Sequence, residues 1–147
     1  MVGLPGSGKT TLAHQFAPAS RVVSTDAIRA ELFGDEAVQG PWAQVEARMI
    51  EKLLEAKDAA PALVVYDATN VVRRQRRRAI QMARALGFAL VYACWLDAPF
   101  ALCLQRNQGR SRQVPEAVMH RMQRCLSGAP PDLSDGFDAL VRMAYAL

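Results

Sequence analysis

The sequence predicts an α/β fold in which helices cover a parallel sheet. Three observations lead there. Short apolar runs such as Leu63–Tyr66 alternate along the chain with stretches of helical periodicity. A glycine-rich segment, Gly3–Thr10, stands between the first apolar residues and the start of a helix. The chain has 147 residues, 51% of them apolar, which suits a single domain over residues 1–147 with one sizeable core.

Taken in order, Met1 and Val2 read as the tail of a strand, Gly3–Thr10 as a loop, and Thr11–Phe16 as the opening of a helix. Arg21–Ser24 reads as the second strand. Asp26–Phe33 reads as a short helix with Thr25 as a candidate N-cap. After the loop Gly34–Gly40, Pro41 opens a helix to about Asp58, with Val45, Met49 and Leu53 on one face. Leu63–Tyr66 is a continuous apolar run, as a buried parallel strand requires. Val72–Leu86 is helical and stops at Gly87. Phe88–Leu96 is the next strand, and Pro99–Arg106 and Pro115–Leu126 are helices around the loop Asn107–Val114. A turn-rich stretch with Pro130 and Pro131 leads to a last strand over Phe137–Met143. A full strand is expected before Gly3, so the first strand reads as truncated. Trp42 and Trp95 are expected to pack, one on a helix and one in a strand.

Composition sets bounds on function. The net charge of +4 rests mostly on arginine, whose planar fork of donors suits phosphate-rich partners. Cys94, Cys103 and Cys125 lack metal-ligand spacing and read as reduced thiols; His14 and His120 are too far apart for a histidine metal site. No apolar run reaches the roughly 18 residues of a membrane span. The motif at Gly3 leaves no room for a signal peptide. A cytoplasmic location is the expectation; the oligomeric state is not written in the sequence.

The segment Gly3-Leu4-Pro5-Gly6-Ser7-Gly8-Lys9-Thr10 fits G-x-x-x-x-G-K-[ST] in full. Glycines let the main chain turn its N–H groups inward and approach phosphate oxygens. The helix that follows adds its positive N-terminal end. Lys9 is expected to reach the β- and γ-phosphates, and Thr10 to offer its hydroxyl to Mg²⁺, with Pro5, Gly6, Ser7, Gly8 and Thr11 completing the cradle. No N-K-x-D guanine motif is present, which favours ATP.

Ala68, not Glu, follows Asp67 at the end of the third strand, which counts against hydrolysis as the main task. A kinase needs a carboxylate near the acceptor hydroxyl and cations on the moving phosphoryl group. Asp26 lies just past the second strand and so emerges on the strand-end edge where such sheets bind ligands. Arg29 follows three residues later on the same helical face. Arg106, Arg110 and Arg112 flank a polar loop that reads as a lid, with Arg110 the foremost candidate.

Four blocks carry a family resemblance: Gly3–Thr10, Asp26-Ala27-Ile28-Arg29, Asp67-Ala68-Thr69-Asn70, and Arg106-Asn107-Gln108-Gly109-Arg110 with Val114-Pro115 after it. With the closing Asp135-Gly136-Phe137, they resemble the P-loop kinase group that includes the 5′-hydroxyl polynucleotide kinase domains. The resemblance implies a P-loop NTPase fold with a five-stranded parallel sheet in the order 2-3-1-4-5. It implies ATP and Mg²⁺ as cofactors, Asp26 as the general base and Arg29 as a grip on the acceptor phosphate. By the same resemblance Asp67 is the acidic residue ending the third strand and Arg110 is the lid arginine on the transferring phosphates; Asp67 is expected at the metal and, with Asn70, at the substrate. The acceptor is a hydroxyl, on a polynucleotide 5′ end or on a small metabolite; a nucleotide-binding module or ATPase with no acceptor is the other reading.

Arg73-Arg74-Gln75-Arg76-Arg77-Arg78 opens a helix with five arginines in six residues. These cannot share one face. They serve either as a platform for nucleic-acid phosphates or as a solvated helix start pairing with acids elsewhere. Cations are unfavourable at a helix N-terminus, by a few tenths to about 1 kcal/mol each.

Overall fold

The computed structural model describes residues 1–18, 21–59 and 63–145. They group into two compact units, Thr10–Ala68 and Met1–Lys9 with Thr69–Leu147.

In the unit Thr10–Ala68, the strands β1 (Val22–Ser24) and β2 (Val65–Asp67) run parallel, with Val22 opposite Val65 and Ser24 opposite Asp67. The helix α1 (Lys9–Phe16) spans the boundary between the units. α2 (Thr25–Phe33) and α3 (Trp42–Ala59) pack on each other and on β1. Val23, Ile28 and Val65 are buried, and so are Val45, Met49 and Leu53, as the helical periodicity predicts; the strand expected over Leu63–Tyr66 is Val65–Asp67, and Leu63 is exposed. The helix α2 is capped by Ser24, whose Oγ accepts from the Ala27 N–H at 3.4 Å, and not by Thr25. Thr25 is already helical and buried, so its hydroxyl is one residue too late to cap. Trp42 is 42% exposed at the first position of α3, so it is not the packing residue expected. On the outer face Arg48 pairs with Glu31, Glu51 and Glu55, and Lys52 with Glu31.

In the other unit, β3 (Tyr92–Asp97) and β4 (Ala139–Ala144) pair in parallel from Tyr92 opposite Ala139 to Asp97 opposite Ala144. Val2 adds one parallel bridge to Trp95. The helices α4 (Arg73–Ala85), α5 (Phe100–Gln108) and α6 (Glu116–Gly128) and a 3-10 turn at Leu133–Asp135 complete it. The core is Val2, Leu4, Val71, Ala98, Cys103, Met119 and Leu126, with Trp95 and Tyr145 partly buried against it.

The continuous five-stranded sheet is not formed: the described strands make two parallel pairs and one bridge. The reason lies in strand length. Ahead of the glycine loop the pairing is a single bridge at Val2 rather than a ladder. β1 and β2 have three residues each. The pairings that do form are those the order 2-3-1-4-5 would place as 2–3, 1–4 and 4–5. β3 also starts later than Phe88. The carbonyls of Phe88 and Ala89 accept from Arg84, and the Val91 N–H donates to Asp138, so side chains take the bonds a ladder would use. Among the described residues no helix is long and apolar enough to cross a membrane.

Candidate functional site

The glycine-rich loop has the backbone that its sequence requires. Gly6 (φ 80°) and Gly8 (φ 92°) are left-handed. A Cβ on Gly6 would stand 2.6 Å from the Cys103 carbonyl oxygen, so only glycine fits there. The Ser7 N–H donates to the Leu4 carbonyl at 3.1 Å and closes the turn. The loop is held at its base: Val2 N donates to Cys94 O, Leu96 N to Val2 O, and Gly3 N to Thr69 O at 3.0 Å. Asn70, left-handed at φ 48°, donates from Nδ2 to Met1 O at 2.9 Å. The structure thus places Asn70 at the root of the loop, where its amide nitrogen serves the main chain. Pro5 is buried, while Thr10 and Thr11 are exposed.

Lys9 is the first residue of α1 and only 8% exposed, and its Nζ donates to the Leu4 carbonyl at 2.8 Å. Ser7 is fully buried, and its Oγ has no hydrogen-bond partner among the described residues. An orphaned buried hydroxyl and an ammonium bonded to a neutral carbonyl are donors that an anion can engage.

In the unit Thr10–Ala68 the predicted pair Thr10 and Asp67 meets directly: Thr10 Oγ1 donates to Asp67 Oδ2 at 2.6 Å. Asp67 ends β2 and is buried. Because Ser24 stands opposite Asp67, the carboxyl ends of β1 and β2 coincide, and Asp26 follows two residues beyond that end. Asp26 is held by Arg29, whose Nη1 donates to Oδ1 at 2.9 Å. The Arg29 side chain is 13% exposed against 47% for Asp26, and its Nε is buried with no hydrogen-bond partner among the described residues. Burial pushes the Tyr66 hydroxyl up to about 12; the Arg29 cation opposes this while Glu46 and Asp67 add to it.

The lid differs from the sequence reading in which arginine is engaged. Arg106 Nη1 donates to the Gly6 carbonyl at 3.3 Å, and its guanidinium lies 5.3 Å from the centre of the Tyr145 ring. Arg110 is exposed, and its main-chain N–H donates to Asn107 O at 3.3 Å. The physical reason is position: Arg106 is still on α5, which Gly6 approaches at Cys103, whereas Arg110 has left the helix. Asn107 staples the lid. Its Nδ2 donates to Val114 O at 2.8 Å and its Oδ1 accepts from Val114 N at 2.9 Å, imitating a strand pair across the loop. Sequence reasoning placed Asn107 only in the loop; its cue is an amide side chain just ahead of the turn.

The arginine-rich helix is built into the fold. Arg76 has no exposed side chain and pairs with the equally buried Asp135, Nε to Oδ2, at 2.7 Å. Its remaining donors reach the carbonyls of Asn70, Val71, Ala129 and Pro130. Arg73 donates to Asp135 Oδ1 at 2.6 Å and to Ser134 Oγ, and Arg77 to Ser134 O. Burial pushes the Asp135 carboxyl up, but the bonds from Arg76 and Arg73 outweigh it and leave the carboxyl below its ordinary value.

No curated protein matches the chain. The family model described as AAA domain matches residues 1–128, which include the glycine loop, Asp67, Arg106, Arg110 and Arg112. On that match the chain belongs to the AAA domain family, as a P-loop nucleotide-binding domain of α/β type.

Proposed function

We propose that the protein is an ATP-dependent kinase that transfers the γ-phosphate to a hydroxyl acceptor, giving ADP and a phosphate monoester. The observation that carries this reading is the pair of carboxylates at one sheet edge. Asp67, bonded to Thr10, and Asp26, held by Arg29, leave the carboxyl end of the same parallel strand pair. One carboxylate beside a metal-side hydroxyl and a second, more exposed carboxylate is what phosphoryl transfer to an alcohol needs.

Gly6, Ser7, Gly8 and Lys9 hold the phosphates, with the buried Ser7 hydroxyl as a further donor. Thr10 and Asp67 are an all-oxygen donor pair that fits a hard cation such as Mg²⁺, which keeps several waters and takes phosphate oxygens as ligands. Thr10 and Asp67 would hold such an ion, which would supply neutralising charge to the phosphates. Asp26 takes the proton of the acceptor hydroxyl. Arg29 keeps the Asp26 carboxylate in one orientation and is the candidate grip on an acceptor phosphate. Lys9 and a lid arginine stabilise charge on the moving group. Arg106 is the lid arginine already at the loop, and Arg110 is free to close from the exposed turn.

A polynucleotide 5′-hydroxyl and a small metabolite remain the two acceptor classes. The engagement of Arg73, Arg76 and Arg77 with the 134–135 turn favours the smaller acceptor, because the helix offers a reduced platform for a phosphate backbone. The test is transfer of labelled γ-phosphate, with Mg²⁺, to 5′-hydroxyl oligonucleotides and to a panel of hydroxylated metabolites. Transfer that is lost in Asp26→Asn while ATP binding persists supports the kinase reading. Asp26→Asn transferring at the wild-type rate overturns the role of the residue.

A further inference from the structure

We infer that Tyr145 is a positioning residue for the phosphate-binding loop, acting through the direction of the Ser7–Gly8 peptide. The inference rests on the nucleotide-binding role of the loop. Tyr145 lies 138 positions from Ser7, yet its hydroxyl donates to the Ser7 carbonyl at 2.6 Å. The fold brings them together. Val2, just before the loop, bridges to Trp95 on β3, and β4 runs parallel to β3 as far as Ala144 opposite Asp97. The residue after Ala144 therefore leaves the sheet at the edge where the loop begins.

A peptide unit is planar and trans, so its carbonyl and its N–H point in opposite directions. Fixing the Ser7 carbonyl on Tyr145 turns the Gly8 N–H away from the ring, toward the inside of the loop. Arg106 completes the clasp: Nη1 reaches the Gly6 carbonyl at 3.3 Å and the Tyr145 hydroxyl at 3.5 Å, with the guanidinium over the ring. A Cβ on Gly8 would meet the Tyr145 hydroxyl at 3.0 Å, so the approach is close on both sides. The ring packs at the edge of the core, whereas the hydroxyl is spent on the loop. Ring and hydroxyl thus have separable tasks, and Tyr145→Phe removes only the second.

The measurement is calorimetric titration of wild type and Tyr145→Phe with Mg·ATP and with Mg·tripolyphosphate, beside amide exchange of the unliganded proteins. Loss of one loop-directing hydrogen bond weakens both ligands by about 3- to 10-fold. The factor is the same for the two because the hydroxyl acts on the phosphate cradle. The unliganded melting temperature falls by no more than about 4 °C, the share of one hydrogen bond, since the ring and its packing remain. Exchange at the Ser7 amide, bonded to Leu4 O, accelerates. A wild type that binds ATP beside a variant that binds both ligands equally well overturns the inference. So does a loss confined to ATP, or a melting temperature that falls as far without ligand as with it. A wild type that binds neither ligand overturns the nucleotide-binding reading, and the inference with it.

Discussion

Lys9 and Arg76 are both buried cations near the start of a helix, 8% and 1% exposed, and they do opposite things. Arg76 is saturated by protein: a buried carboxylate takes one side of its fork and four main-chain carbonyls take the rest. Lys9 bonds the carbonyl of Leu4, a neutral acceptor inside a loop whose glycines turn N–H groups inward. A buried charge matched by fixed partners belongs to the scaffold. Lys9 lies in the glycine loop itself, and its ammonium bonds a main-chain carbonyl there that a phosphate oxygen can replace.

The comparison breaks most visibly at the scaffold end. Asp135→Asn leaves Arg76 buried without its counter-charge, a cost of about 3–5 kcal/mol. Differential scanning calorimetry should show the melting temperature falling by roughly 10 °C or more, with nucleotide affinity of the remaining folded protein little changed. Lys9→Met should do the reverse. Its effect is about a 100-fold loss of ATP affinity or transfer, of the size seen when one donor to developing charge is removed, with the melting temperature nearly constant.

Acid sharpens the contrast further. The Asp135 carboxyl is depressed in the folded protein, so between its folded and unfolded values the unfolded chain binds more protons and stability rises with pH. Its contribution is complete above the unfolded value, about 3.9, and is lost as pH falls through the folded value. The gap in melting temperature between wild type and Asp135→Asn should therefore be full at pH 6 and shrink below about pH 4. The smallest effect belongs to Arg74, which is exposed on α4. Arg74→Ser should move stability by less than about 0.5 kcal/mol in urea titration.

The glycine loop was legible because its chemistry demands particular residue types at fixed spacing, and the meeting of Thr10 with Asp67 followed from where the third strand ends. The arginine run was not. Its partner Asp135 lies 59 positions beyond Arg76, and a charge carries no address in sequence. Tyr145 was silent for the same reason, since its role exists only once β4 has paired with β3. The strand pairings followed the expected neighbours, but strand lengths did not, because side chains of Arg84 and Asp138 take main-chain bonds at the head of β3. The sequence reading put Arg110 ahead of Arg106, and in the structure it is Arg106 that bonds the glycine loop. Spacing puts Arg106 and Arg110 one helical turn apart, and only the end of α5 decides which of them faces the loop.

The most direct test of the account is the melting temperature with and without Mg·ATP for wild type, Lys9→Met and Asp135→Asn in one experiment. The account predicts that ATP raises the melting temperature of wild type and of Asp135→Asn, from a lower start, and leaves Lys9→Met unmoved at its near-native value. An ATP-induced rise of wild-type size in Lys9→Met, or none in wild type, would contradict it.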